Sequence, residues 1–328
     1  MNWSDLLSLT AGELIAPTTA AYALAAIGLN IHFGFTGLLN MGQAGFMLVS
    51  AYGFAATAQA GQGFAVSALV GVACAVVFAL ILGIPTLKLR GDYLAIVTIS
   101  AAEIVRLTGR SSVLSDITNG AAGIPASRFN KGFLELSVLP DGRTALGPFS
   151  YANNVGDGWW TRIVAWTVVL LAVLLVWRLM SSPWGRVLKG IREDEDAVRS
   201  LGKGVYGYKM QSLVLGGAMA GFAGVLFVMP ASVQPDAMGR SMTFYIWTIL
   251  LLGGAATLWG PVIGSMIFFV ALMLIKTVMR DVLPPTVMRP EQLEPLAGIL
   301  VGITLMLLVI FRPQGIFGDK KELMLDVR

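Results

Sequence analysis

Ser181 to Lys209 reads SSPWGRVLKGIREDEDAVRSLGKGVYGYK, with long apolar runs on both sides. Inside this polar stretch, Arg192-Glu193-Asp194-Glu195-Asp196-Ala197-Val198-Arg199-Ser200-Leu201-Gly202 has the spacing of a short amphipathic helix. Ile191 and Val198 are seven apart and Ala197 and Leu201 four apart, so these apolar side chains are expected to share one stripe. The acids cluster in the first turn, where the helix dipole favours negative charge. Glu195 precedes Arg199 by four residues, the better orientation for a helical ion pair. Gly202 and Gly204 then stop the helix. A solvated loop is the alternative reading of such a composition. A soluble helix between two membrane spans, in contrast, needs a partner to dock on.

The flanking apolar runs set the class. Of 328 residues 56% are hydrophobic and 13% charged, about half the charged share of a soluble domain, which is roughly 25%. Mean hydropathy is +0.75. Several runs are long enough to cross ~30 Å of hydrocarbon at ~1.5 Å per residue. The expected fold is an all-α polytopic membrane protein with about nine transmembrane helices, eight to ten at the limits. The 38 glycines suit helices that pack closely in lipid, and no run alternates as a β-barrel strand does. The net charge of +4 fits basic loops on one membrane face rather than nucleic-acid binding. Cys74 is the single cysteine, so no internal disulfide is expected. Met1 to Ala11 carries no Lys or Arg, which argues against a cleavable signal peptide.

In chain order, the expected spans are Leu14–Ile31, Phe46–Ala58, Phe64–Ile84, Tyr93–Leu107, Arg162–Met180, Met210–Met229, Ser241–Thr257, Val262–Met279 and Leu296–Phe311. Gly-rich Thr36 to Gly45 interrupts the first pair, and irregular backbone at membrane depth is tolerated only against protein or a water-filled cavity. Asn40 and Gln43, three apart, are candidate pathway residues, with interhelical hydrogen bonding as the alternative. His32 has no second histidine to share a metal with, and a packed role suits it better. Glu103 and Arg106 lie inside a span, where charge costs several kcal/mol unless paired. They are three apart and are expected to pair with each other. Residues 108–160 form the longest loop, either a lid or a docking surface, and end on Trp159-Trp160, an interfacial pair.

The central loop holds Arg178, Arg186, Lys189, Arg192, Arg199, Lys203 and Lys209, while the short loops on the opposite side hold Arg240, Lys276, Arg280 and Arg289. The positive-inside rule therefore puts the 181–209 loop and the C-terminus in the cytoplasm, and the N-terminus and the 108–160 loop outside. The chain reads as one transmembrane domain over residues 1–328. It has no GxxxxGK[ST] phosphate loop, no metal-spaced His or Cys cluster and no nucleophile–His pair, so it is expected to be neither an ATPase nor another enzyme, and to hold no cofactor or metal.

Asp196-Ala197-Val198-Arg199-Ser200-Leu201-Gly202 resembles the E-A-A-x-x-x-G signature of ABC importer permeases, with Asp for Glu and Val for the second Ala. Gly34-Phe35-Thr36-Gly37-Leu38-Leu39-Asn40-Met41-Gly42, Leu89-Arg90-Gly91-Asp92-Tyr93-Leu94-Ala95-Ile96, Ile191-Arg192-Glu193-Asp194-Glu195, Gly253-Gly254 with Leu258-Trp259-Gly260-Pro261, and Arg312-Pro313-Gln314-Gly315 follow in the order seen in the branched-chain amino-acid ABC permease family of LivM type. Asn119-Gly120-Ala121-Ala122-Gly123 departs from that family's T-G-G-x-x-G-I. The resemblance covers about residues 20–318 and implies a type II importer permease-like subunit of the bacterial inner membrane. It also implies a second related permease, two cytoplasmic ATPases that use the ATP, and an external solute-binding protein. Arg192, Glu193, Asp194, Glu195, Asp196, Ala197, Val198, Leu201 and Gly202 become the expected coupling residues, with the stripe of Ala197, Val198 and Leu201 buried in an ATPase groove. Related permeases for urea, short amides or other amino acids share these motifs and remain alternatives. A secondary transporter working alone is the third reading, and it gives the central helix no task.

Overall fold

The computed structural model describes residues 3–88, 91–147, 149–282, 293–312 and 314–318. Leu89-Arg90 of the basic turn, Pro313 of the Arg312–Gly315 motif, most of the 281–294 loop and the charged tail lie outside the described residues.

The chain is mostly helical. An N-terminal helix α1 (Trp3–Leu14) precedes α2 (Pro17–Leu29), which starts on a proline at its first turn and runs into a π-helical turn, Asn30–Phe35. Then come α3 (Gln43–Gln59), α4 (Phe64–Thr86) and α5 (Gly91–Arg110). The long connection holds two one-turn helices, α6 (Ser115–Thr118) and α7 (Lys131–Leu134). It also holds strands β1 (Ile124–Pro125), β2 (Arg143–Leu146) and β3 (Phe149–Ala152). After it come α8 (Trp159–Met180), α9 (Pro183–Glu193), α10 (Glu195–Ser200) and α11 (Val205–Val228). Strand β4 (Ser232–Val233), α12 (Arg240–Gly253), α13 (Gly260–Val282) and α14 (Leu293–Phe311) complete the order.

Among the described residues, four helices are long and apolar enough to cross a membrane: α4, α8, α11 and α13. In α11, 67% of the most apolar window is buried, against 28%, 33% and 22% in the other three. That difference makes α11 the innermost of the four, packed on α2, α3 and α4, and α2 beside it is buried along nearly its whole length. The outer helices turn Leu69, Val77, Ile81, Leu171 and Trp177 to the surroundings. That much unpaired apolar surface is stable only against lipid or another subunit.

Small residues let α11 approach its neighbours. A β-carbon on Gly216 would lie 2.5 Å from the Gly28 carbonyl of α2, and one on Gly224 would lie 2.2 Å from the Met47 carbonyl of α3. Both separations are far inside van der Waals contact, so these helices meet backbone to backbone.

The helices run between two ends. One is built on residues 111–158. Antiparallel β2 and β3 form a hairpin, β1 pairs with β4, and Trp160 Nε1 donates to the Phe133 carbonyl at 3.1 Å. Helix α1 reaches this end too, with Gly12 against the Tyr151 hydroxyl. The expected long loop is a small folded cap. At the other end lie α9 and α10.

Several expected boundaries move. The first expected span divides at Ala16, ahead of Pro17, and α12 stops at Gly253 rather than Thr257. Helix α11 begins at Val205, after Gly204, and takes in the end of the expected 181–209 loop, with the Lys209 ammonium paired to Glu195.

Candidate functional site

The single helix expected over Arg192–Gly202 is two helices meeting at Asp194. Its backbone is extended there (φ −154°, ψ 103°), and its carboxylate accepts the Asp196 and Ala197 N–H groups, both at 2.9 Å. This is an N-cap, and it satisfies donors that a continuous helix would have used internally. Helix α9 turns Gly185, Leu188 and Ile191 inward, while the Trp184 indole donates to Gln211 Oε1 at 2.7 Å. In α10, Arg199 bridges Glu195 and Asp196 at 2.9 Å each, and Glu195 also receives Lys209.

The apolar stripe divides as well. Val198 is 8% exposed and packs on the chain's own core near Gly190, whereas Leu201 is 78% exposed and Ala197 is exposed. Residues 197 and 198 differ by about 100° around a helix and cannot face the same way. Glu193, Asp196 and Gly202 are exposed beside them. Gly202 has φ +77° with open space around its α-carbon, which is the positive φ expected of the helix stop. A cleft of about 920 Å3 opens beside α10, lined by Lys88, Glu195, Asp196, Arg199, Lys203 and Tyr206 among others.

Motifs scattered through the sequence converge at this end. Arg192 donates to the Gly34 carbonyl at 2.7 Å, joining the elbow to the π-turn. Asn30, buried in that turn, donates to the Thr257 carbonyl at 2.7 Å and accepts the Ala256 N–H at 2.8 Å. It thereby clasps the turn after Gly253-Gly254 as a strand neighbour would. Behind that turn, Ile316 and Phe317 donate to the Leu252 and Gly253 carbonyls at 2.9 and 3.1 Å. The elbow thus contacts the π-turn, the π-turn contacts the 254–259 turn, and residues 314–318 close the stack.

Asn40 and Gln43 lie deeper, both fully buried, Asn40 in the non-helical stretch before α3 and Gln43 at the first residue of α3. Asn40 Nδ2 donates to Gln43 Oε1 at 2.9 Å and to His32 Nδ1 at 3.1 Å, and Asn40 Oδ1 accepts the Gly42 N–H at 2.9 Å. Gln43 donates to the Ala25 carbonyl at 2.9 Å, and His32 Nε2 lies 3.1 Å from the Leu213 carbonyl. These roles assign the neutral imidazole with its proton on Nε2, since an imidazolium would set two donors face to face. This is the geometry of interhelical hydrogen bonding, with both polar side-chain atoms of Asn40 engaged. The stretch is held further by Met41 N–H on Thr98 Oγ1 (3.0 Å), Ala44 N–H on Thr243 Oγ1 (3.1 Å) and Trp247 Nε1 on the Asn40 carbonyl (3.1 Å). Sequence reading did not single out Asn30, Thr98, Thr243 or Trp247. Their signal was a lone hydrogen-bonding group inside an apolar run.

At the cap end, Glu103 and Arg106 pair at 2.6 Å as expected. They are not alone: Arg106 also pairs with Asp236, Arg110 reaches Asp236 at 3.5 Å, and Arg240 reaches Glu103 at 3.6 Å. The chain has a lone free cysteine, Cys74, and no group of three metal-ligating side chains among the described residues.

A family model described as the permease component of branched-chain amino acid transport systems matches residues 13–309. The chain is 32% identical over 313 residues to the high-affinity branched-chain amino acid transport system permease protein LivM of Escherichia coli K12, an alignment covering 92% of this chain and 69% of that protein. It is 25% identical over 338 residues to the probable branched-chain amino acid transport permease protein LivM of Methanocaldococcus jannaschii, covering 91% of each. A weaker likeness, 24% over 136 residues, links it to the autoinducer 2 import system permease protein LsrC of Photorhabdus laumondii, over 39% of this chain and 41% of that protein. No solved structure matches. A helical, lipid-facing bundle matched along most of its length by one family model, and aligned over nine-tenths of its residues with LivM proteins, places this chain in the family of branched-chain amino acid transport permeases.

Proposed function

We propose that the chain is the membrane-spanning subunit of an ATP-driven importer that moves branched-chain amino acids delivered by an external binding protein. It works beside a second related permease and above two cytoplasmic ATPases. Nine helices cross the inner membrane in this reading: α2, α3, α4, α5, α8, α11, α12, α13 and α14. The N-terminus and cap lie outside, and the elbow and C-terminus lie inside.

The observation that carries this reading is the elbow. It combines an exposed apolar knob, Leu201, with a rigid anchor to the bundle through Arg192 and Gly34. A solvated loop needs neither. An ATPase groove that takes up Leu201 and Ala197 moves α10. The capped joint at Asp194 then passes the motion through α9 to the π-turn, the point where α2 loses regular helix. This is alternating access driven from one end. The surface charges Glu193, Asp196 and Arg199 set orientation more than affinity.

The test is substrate-stimulated ATPase activity of the complex, purified from its native membrane and reconstituted. Leu201→Asp is expected to abolish stimulation with assembly of the permease pair intact, while Glu193→Gln stays near wild type, since exposed ion pairs contribute only ~0–1 kcal/mol. Full stimulation in Leu201→Asp would sink the coupling assignment. Uptake by the chain purified without any ATPase would sink the importer class.

A further inference from the structure

We propose that the junction of α5 and α12 at the cap end is the contact site for the amino-acid zwitterion in this subunit, held shut in this conformation by its own ion pairs. This rests on the importer reading above and names the residues that meet the substrate.

Five charged groups gather here. Glu103, Arg106 and Arg110 project from α5, Asp236 lies on the segment leading into α12, and Arg240 is the first residue of α12. Charges at a span end are costly unless paired, and structural pairing needs only two of them. Here Glu103 has two cationic neighbours, one of which, Arg240, is 65% exposed and stands at 3.6 Å rather than in full contact. That guanidinium is loosely committed.

Beneath the charges is a crevice between the two helices. Glu103, Arg240 and Thr243 form its polar side, and Met41, Ala102 and Met238 its apolar side. Its free volume is about 10 Å3, room for a single water. The composition is that of a small-ligand pocket, apolar walls with a few convergent polar groups, closed down to nothing. The chemistry fits an aliphatic α-amino acid. The ammonium replaces Arg240 on Glu103, the carboxylate takes the freed Arg240, and the branched side chain enters between the two methionines. Both charges of the ligand are matched, so the latch opens without stranding a charge.

The floor of the crevice supports the same assignment. Met41 and Thr243 belong to the non-helical stretch and to the side chain that caps α3 at Ala44. A ligand parting α5 from α12 therefore pulls on the stretch that leads back to the π-turn and the elbow. Discontinuous helices at membrane depth are where transporters place such sites.

The test uses the reconstituted complex and uptake of radiolabelled L-leucine, with isoamylamine and isocaproate as competitors that lack one charge each. Glu103→Gln is expected to raise KM for leucine about tenfold and let isocaproate compete. Arg240→Gln is expected to raise KM similarly and let isoamylamine compete, with Arg240→Lys restoring part of the loss. Arg143→Gln, exposed on β2 of the cap and outside the crevice lining, should change KM less than twofold. Leucine uptake with unshifted KM in Glu103→Gln and Arg240→Gln, or an equal shift in Arg143→Gln, overturns the site and leaves the importer reading standing. A wild-type complex that takes up no leucine removes the importer reading, and the zwitterion site falls with it.

Discussion

At the scale of single residues, two kinds of glycine do opposite work, and substitutions tell them apart. Gly202 needs positive φ in open space, so alanine there costs about 1–2 kcal/mol from the backbone alone. Gly216 has an ordinary backbone but no room: a β-carbon would sit 2.2 Å from His32 Nε2 as well as 2.5 Å from the Gly28 carbonyl. Gly216→Ala is therefore expected to force α11 off α2, costing about 1–3 kcal/mol and displacing the imidazole from the Leu213 carbonyl. Thermal unfolding of the purified chain in detergent should rank Gly216→Ala well below Gly202→Ala. The reverse order would show that α11 does not pack as described. The need for a glycine at 202 was readable from its place after a helix. The closeness at 216 was not, because a span rich in Gly and Ala does not say which of its faces meets backbone.

The elbow shows what is lost between sequence and element. The apolar spacing of Ile191, Val198 and Leu201 and the acids between them read as one helix. Asp194 overrides that reading because an aspartate between two acids looks like part of a first turn, yet caps as readily as it continues. Once α10 restarts at Glu195, its phase is set by the cap and by Val198 packing inward, and the shared stripe disappears. Val198→Asp is consequently expected to destabilise the chain itself, by burying a charge in its own core. Leu201→Asp leaves folding alone. Asp194→Ala removes a cap worth about 1 kcal/mol and frees α10 to swing. Hydrogen exchange of Asp196 and Ala197, whose N–H groups the carboxylate holds, is expected to accelerate in this variant while α9 keeps its protection. Equal protection in both proteins would mean the joint is not held by Asp194. The non-helical stretch within Thr36–Gly45 and the Glu103–Arg106 pair were legible from Gly-rich backbone and from spacing. The clasp of Asn30 on residues 256 and 257 was not, since its partners lie more than two hundred residues away.

At the scale of the whole molecule, the cap end carries a pH signature. Burial holds the Glu13 carboxyl above its ordinary range, and Asp157 pushes the same way, while Arg162 and Lys276 pull it down. Burial likewise raises Asp157 against the pull of Arg162, which pairs with it at 3.0 Å and lies over the Tyr151 ring at 3.6 Å. A carboxyl with a raised folded-state value binds its proton more tightly folded than unfolded. Its contribution is therefore fully present below the unfolded value and is lost as pH rises through the folded one. Glu13→Gln removes that loss, so its unfolding midpoint is expected above wild type at pH 7.5 and to converge with it below pH 4.5. A constant gap across pH would place the effect in packing instead.

The proposed side of the membrane rests on charge. The elbow end holds Arg178 in the last turn of α8 and Arg186, Lys189, Arg192 and Lys203 in the connection after it. A long segment such as 111–158 counts little in that balance. Val138, 83% exposed on the cap, and Arg186, exposed on α9, are suitable reporters at opposite ends. In a Cys74→Ala background, a cysteine in place of Val138 is expected to react with a membrane-impermeant maleimide in intact cells. A cysteine in place of Arg186 is expected to react only after lysis. The opposite pattern would invert the molecule. The elbow would then face the binding protein, the α5–α12 crevice would face the cytoplasm, and the proposed direction of transport would have to be reversed. Labelling of both sites in intact cells would instead remove the bundle between them as a barrier, and with it the membrane-spanning reading of α8.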